Sequence, residues 1–381
     1  MFKHYEKETL LPSEKYVRIN YLDLEKLVST IFQTLKVPKK DADIVADVIV
    51  TADLMGISSH GIQRLRRYVD GIKTNNVNVK SNLKVIENHK AVALIDAHNG
   101  LGQVAASKAM DLAIKKAETY GIGLVLVRNS NHFGIAGYYS LKAVDKELIG
   151  MTLTNSENLV AYTNTLGQTL GTNPIAVGIP RQHPPPILFD AATSVVPVGK
   201  IELYKKLNRE IPEGWVIDEF GEITSGDASH IHEKIRENKA AILPIGGVGE
   251  EFGGHKGSGL SFLVDMISGI LSGSAWGTHV GYTVADKPAN VGHTLLAVDI
   301  EAFMSKVEFF NRIQKYVQEI KSTSKHPKAD RIWIPGEKAW LTKQTRMNIG
   351  IPVGETIYED LKKLVDELGI HWISNQKAKV S

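Results

Sequence analysis

The chain has 381 residues, 45 Lys and Arg against 42 Asp and Glu, a net charge of +3, and no cysteine. Without a thiol, disulfide scaffolds, thiolate zinc sites, iron–sulfur clusters and cysteine nucleophiles are excluded, and so small a basic excess calls for no nucleic-acid partner. The length predicts two or three domains, and a hydrophobic fraction of 43% is enough for ordinary globular cores.

The chain begins MFKHYEKETLLPSEK, which lacks the apolar core of a secretory signal. Apolar residues at helical spacing predict helices over 21–36 and 41–55, with Asp41 as N-cap of the second. Gly56 ends that helix, and Ser58-Ser59 is expected to open a third through HGIQRLRRYVDGI. Strands are predicted at 91–96, 122–127, 148–154, 175–179 and 187–190, with a helix over 103–119 between the first two. RQHPPP at 181–186 excludes helix. The polar stretch 205–241 reads as an excursion between core elements, and SHIHEK within it as a solvated loop, with His230 and His232 lacking further ligands at metal spacing. A glycine-rich stretch at 246–259 precedes a helix at about 258–272, then a strand near 294–300, a helix over 303–321, an exposed connection at 321–330 and a last helix over 355–368. The most apolar long run, GLSFLVDMISGILSG, carries Asp265 and is too short to cross a bilayer, so a cytoplasmic protein with no membrane partner is expected.

Four constellations carry chemistry. In SSHGIQR, a helix capped by Ser59 would place His60 and Arg64 on one face beside free amides, a fitting seat for a carboxylate; an incidental His and Arg on a capped surface helix fit the same spacing. In VRNSNHFG, His132 follows the end of an apolar strand, where open α/β sheets place ligands, and its imidazole can exchange a proton near neutral pH; a loop histidine bonded to backbone is the bland alternative. Thr172 and Asn173 precede a strand started by proline, and Asp190 ends an apolar strand ahead of Ala191 and Ala192. That carboxylate suits ribose hydroxyls, orientation of a catalytic histidine, or the cap of the next helix. In GGVGEEFGGHKGSGL the glycines, with Lys256 ahead of a helix, form an expected anion nest for a phosphate or pyrophosphate. Gly257 stands where a Walker loop needs Ser or Thr, which argues against a nucleotide hydrolase. The match of Gly100 to Ala105 to G-x-G-x-x-A is discounted, because the following strand ends in Arg128-Asn129 and not in an acidic residue. A binding module without catalysis, using Arg66 and Arg67 as a basic footprint or the glycines for a nucleotide, is the reading of another class.

ADLMGISSHGIQRL, NGLGQVAA, VRNSNHFGIAGYY, LGTNPIAVGIP, FDAATS, GKIE, IPEGW, ILPIGG, GGHKGSGL and IPGE follow one another over nearly the whole chain. Together they resemble the type-2 malate/L-lactate dehydrogenase family of NAD(P)-dependent 2-keto acid reductases. The resemblance implies an α/β, non-Rossmann fold: a cofactor domain (121–319) against a second domain built from both chain ends (1–120 with 320–381). It implies a homodimer, NAD or NADP as cofactor, and a small 2-hydroxy or 2-keto acid as substrate. Malate/oxaloacetate leads; lactate, sulfolactate, ureidoglycolate and cyclic imine acids are alternatives. By matching motifs, His60 and His132 become acid–base candidates with Asp190 beside them, and Arg64, with Ser59, the carboxylate ligand. Cofactor contacts are expected from Ser156, Thr172, Asn173, Asp190, Ala191, Ala192, His255, Lys256, Gly257, Pro335, Gly336 and Glu337. Two departures, Asp-Ala-Ala for the usual Asp-Met-Ala and Ser258 for an aromatic, bear on pocket shape and hence on substrate. Lys200, Lys205 and Lys206 hint at a 2′-phosphate.

Overall fold

Apolar alternation and helical periodicity set most of the elements. A computed structural model describes residues 5–7, 15–284 and 287–372. Most of the amino-terminal segment read above, and residues 373–381, fall outside those residues. In chain order come β1 (Tyr16–Ile19), α1 (Tyr21–Thr34), α2 (Lys39–Leu54), α3 (Leu65–Lys73), β2 (Lys84–His89), β3 (Val92–Asp96), α4 (Gly102–Tyr120), β4 (Ile122–Ser130), α5 (Ala136–Val144) and β5 (Ile149–Thr154). They are followed by β6 (Ile175–Ile179), β7 (Ile187–Ala191), α6 (Val198–Lys206), β8 (Glu210–Asp218), β9 (Ile223–Asp227), α7 (Ala228–Arg236), β10 (Ala240–Ile242) and α8 (Gly254–Asp265). The last are β11 (Val291–Val298), α9 (Lys306–Ser322), α10 (Glu337–Ile349), β12 (Ile351–Gly354) and α11 (Glu355–Glu367).

Seven strands form one mixed sheet in the order β2-β3-β4-β11-β5-β6-β7. Only β3 and β4 pair in parallel; the other neighbours are antiparallel. This is no doubly wound parallel sheet. The β3–α4–β4 crossover explains why Gly100 to Ala105 imitates a dinucleotide fingerprint. Gly102 is glycine because a Cβ there would collide with the Asn131 carbonyl and lie 2.7 Å from that of His132. The expected division at residue 120 falls within this layer, since β2, β3 and α4 belong to it.

A second core gathers α1, α2 and α3 with β12 and α11, and β1 pairs antiparallel with β12, so the two ends of the described chain meet. Pro38, not Asp41, occupies the N-cap of α2; Asp41 instead pairs with Lys108 at 2.9 Å.

Three other expectations are corrected. The third helix does not start at Ser58: two single 3₁₀ turns, Ser58–His60 and Ile62–Arg64, flank Gly61 before α3 begins. The carboxylate of Asp53 accepts the Ile62 N–H at 2.8 Å and presses on the Gly61 Cα, so any side chain at 61 would collide with it. The stretch 205–241 is no mere excursion. It folds as a three-stranded sheet, β10-β8-β9, with α7 over a core including Ile211, Val216, Ile231 and Ile235. His230 and His232 lie in α7, whose N-cap Asp227 accepts the His230 N–H. The apolar helix starts earlier than 258, at Gly254, and its α-helical part ends at Asp265, where one π turn continues it to Ile270.

Candidate active site

Two adjoining cavities lie where α3, the 3₁₀ turns and α6 face the ends of β4, β5 and β7. The inner one is lined by His60, Arg64, Arg67, His132, Ser156 and Glu157 among others. The outer one shares His60, Gly134, Thr172, Pro174 and Pro197 with it and adds Asp190, Ala191, Ala192, Ser194 and Ile245. Residues far apart in sequence thus form one cleft.

His132 is held on every side. Asn131 donates to the carbonyls of Asn99 and Gly100 at 3.1 Å, the Tyr139 hydroxyl donates to the Phe133 carbonyl, and Gly134 (φ +84°) passes so close to Val48 that a Cβ would not fit. The imidazole Nδ1 lies 2.7 Å from the Tyr68 hydroxyl and 3.3 Å from the Gly134 amide. His60 stacks on His132 with centroids 5.6 Å apart, and its Nδ1 lies 2.9 Å from Ser59 Oγ. Burial, reinforced by the Arg64 and Arg67 charges, lowers both imidazoles, His60 to about 3 and His132 well below its ordinary value, so both are neutral at neutral pH. Burial raises the Tyr68 phenol to about 12, and it stays protonated.

Arg64 and Arg67 bring two guanidiniums to the inner cavity. Arg64 donates from Nε to the Ser59 carbonyl at 2.9 Å and pairs with Glu202 at 2.5 Å. Arg67 pairs with Glu157 at 3.1 Å, donates to Thr283 and lies over the Tyr282 ring. Being buried, it is no part of a basic surface footprint, and its exposed neighbour Arg66 is tied to Glu367 at 2.8 Å.

Asp190 caps a helix, though not the one after it. Its Oδ2 accepts the Gly137 N–H at 2.8 Å in the first turn of α5, and its hydrogen bond goes to neither imidazole. Burial, only partly offset by that bond, raises its carboxyl to about 6. Ser156 and Thr172 bond each other at the inner wall. Asn173 is fully buried, bridging the Ser156 amide and the Ser261 carbonyl in α8.

Other sequence candidates lie outside the lining of both cavities. His255 and Lys256 are exposed in the first turn of α8, and Gly257 packs on Ile245, a wall of the outer cavity. Several glycines of this stretch serve its own folding, since Gly246 closes on Gly253 and Gly254 on Gly247 and Gly249. The Pro335 carbonyl accepts the Leu188 amide beside Asp190, while the Glu337 carboxylate is buried on the Ile334 amide, Lys321 and Arg331. Of the three lysines, Lys206 pairs with Asp360, Lys200 lies over Tyr204 and Trp215, and Lys205 is exposed. Arg67, Tyr68, Glu157 and Glu202 are site residues whose part sequence reasoning missed. Each sits on or beside an element whose composition reads as ordinary core or surface.

Among the described residues no group of three or more His, Cys, Asp or Glu is placed to hold a metal, and no helix is long and apolar enough to cross a membrane. The malate/L-lactate dehydrogenase family model matches residues 19–362. A malate dehydrogenase of Pyrococcus horikoshii is 47% identical over 94% of this chain and 97% of its own length. An L-sulfolactate dehydrogenase of Methanocaldococcus jannaschii is 39% identical over 91% and 96%. The crystal structure of a malate dehydrogenase from Entamoeba histolytica superposes with a TM-score of 0.90 at 32% identity, covering 94% of this chain and 99% of that one. The chain belongs to the malate/L-lactate dehydrogenase family and is a dehydrogenase acting on 2-hydroxy acids with a nicotinamide cofactor.

Proposed function

We propose that this enzyme interconverts malate and oxaloacetate. The observation that carries the reading is the meeting of two guanidiniums and two neutral imidazoles in one cavity that opens onto a second cavity walled by small and apolar residues. Two cations suit a substrate with two carboxylates. The identity to named malate dehydrogenases supports the same choice.

The outer cavity fits a nicotinamide. Ala136, Ala191 and Ala192 leave room for a flat ring, Ile135, Pro174, Val195 and Ile245 give it apolar contact, and Asp190, Ser194 and Thr172 supply polar groups. When bound, the cofactor supplies the hydride donor or acceptor. Arg64 holds the carboxylate next to the reacting carbon, with Arg67 beside it for the second. No helix terminus at Ser59 assists, since that residue lies in a 3₁₀ turn and its hydroxyl serves His60.

On oxidation, His132 takes the substrate hydroxyl proton at Nε2 and on reduction returns it. For Nε2 to be bare, the neutral ring must carry its hydrogen on Nδ1, so Tyr68 accepts from Nδ1–H throughout and that bond strengthens once the ring is charged. His60, stacked behind, keeps the pocket tight. The exposed apolar face of α8 and the turn after it, with Leu260, Leu263, Met266, Ile270 and Leu271, supports a homodimer.

Absorbance at 340 nm, crossing NADH and NADPH with oxaloacetate, pyruvate, sulfopyruvate and a cyclic imine acid, tests the proposal. Fastest turnover is expected with oxaloacetate; preference for a substrate with one anionic group refutes the pairing of two guanidiniums with two acid groups.

A further inference from the structure

Two features outside the chemistry above converge on Arg64. Glu202 projects from α6, and its Oε2 lies 2.5 Å from Arg64 Nη1, while Arg64 Nε is held by the Ser59 carbonyl at 2.9 Å. The third nitrogen, Nη2, lies against Gly199, where a Cβ would overlap it, and has no partner among the described residues. Arg64 and Gly199 line the inner cavity; Glu202 does not. Two nitrogens therefore fix the guanidinium plane and the third is left for a ligand. Burial works to raise the Glu202 carboxyl, but Arg64 and His232 outweigh it and bring it down to about 2, so it is ionised.

The second oxygen of Glu202 faces α7. His232 Nε2 lies 3.7 Å from Glu202 Oε1, and both ring nitrogens of His232 are buried without a hydrogen-bond partner. Orphaned buried nitrogens are costly and call for a reason. A carboxylate within one small rotation supplies it.

We propose that Glu202 and His232 are positioning residues for substrate binding: Glu202 clamps the Arg64 guanidinium, and His232 steadies the clamp from the small β8–β10 unit. Residues that line no part of the inner cavity thereby set the affinity for the acid. This rests on Arg64 as the carboxylate ligand.

KM and kcat for oxaloacetate, with the Kd of the reduced dinucleotide from its fluorescence, decide the matter. Glu202→Gln is expected to raise KM about tenfold with kcat within about twofold, the pattern of lost uniform binding, and to leave cofactor Kd unchanged. His232→Phe should raise KM about threefold, and the double variant should match Glu202→Gln alone, because His232 acts through Glu202. An unchanged KM in Glu202→Gln, additive effects in the double variant, or parallel losses of kcat, cofactor affinity and melting temperature overturn the proposal. If Glu202→Gln does not fold, Glu202→Asp, which keeps the charge and shortens the reach, carries the same expectation and the same refutation. Arg64→Leu separates the two levels. No change in KM there removes the carboxylate ligand itself, whereas a rise there with none in the Glu202 variants removes only the clamp.

Discussion

Replacing Tyr68 by Phe removes a single oxygen from a fully packed position and addresses proton transfer directly. The hydroxyl lies 2.7 Å from His132 Nδ1, and the remaining partner, the Gly134 amide, is longer at 3.3 Å and can only donate. While the imidazole is neutral, with its hydrogen on Nδ1, the lost bond is a neutral one, about 0.5–1.5 kcal/mol; once Nε2 takes the substrate proton, the same Nδ1–H belongs to a charged donor, and a bond to a charged group is about 1.5–3 kcal/mol. The transition state therefore loses about 1–1.5 kcal/mol more than the ground state, which at 1.36 kcal/mol per decade lowers kcat roughly 5- to 12-fold. KM should change little, since Tyr68 touches His132 and not the proposed carboxylate ligand. The assay is steady-state oxidation of malate with a melting curve alongside. A kcat within twofold of the wild type at unchanged stability refutes the role of Tyr68 as the acceptor that stabilises the charged ring.

The other predictions follow from the same geometry. His132→Ala should lower kcat by about 10²–10⁴-fold, the range for a lost general acid–base group, while His60→Ala, removing a stacked neighbour, should cost less; the reverse order in the 340 nm assay would assign the proton to His60. Asp190 is ionised above about pH 6, and its carboxylate holds the start of α5, so kcat/KM should fall as pH drops through 6, and this limb should vanish in Asp190→Asn; persistence of the limb in that variant assigns it to another group. The sign for stability is opposite: a carboxyl raised by burial favours the folded state when protonated, so Asp190 adds stability as pH falls from about 6 towards its unfolded value. Gly102→Ala improves helix propensity, yet its Cβ would meet the Asn131 and His132 carbonyls; a loss of about 1–3 kcal/mol from overpacking is expected in denaturant melts, with reduced kcat, and a stabilised variant would show that this contact gives way.

What the sequence disclosed follows the strength of the local signal. The central strands are apolar runs bounded by turns, and α1, α4 and α11 have clear periodicity, so each was legible to within a few residues. The clustering of SSHG, NHFG and FDAATS in one cleft rested on motif order, because nothing local brings residues 60, 132 and 190 together; the sheet order does. The helix expected at Ser58 failed for a specific reason. Asp53, nine residues before Ile62, takes its amide and makes Gly61 a break instead of a helical position. The strands β9 and β10 were hidden because β9 alternates exposed and half-buried residues with none fully buried and β10 is three residues long. Tyr68 reads as core on an amphipathic helix, and its hydroxyl's partner is 64 residues away. The link between Glu202 and His232, the latter read as part of a solvated loop, was hidden for the same reason: an acidic residue on one helix and a histidine on another acquire meaning only when α6 and α7 pack together.

The central claim is tested most directly by a crystal structure of the enzyme with reduced dinucleotide and a non-reacting dicarboxylate. The account predicts the nicotinamide ring against Ala191 and Ala192, the acid on the Nη2 side of Arg64, and His132 Nε2 within hydrogen-bond reach of the oxygen that carries the proton. A ring lodged away from residues 60, 64 and 132, or an acid bound without either guanidinium, contradicts it.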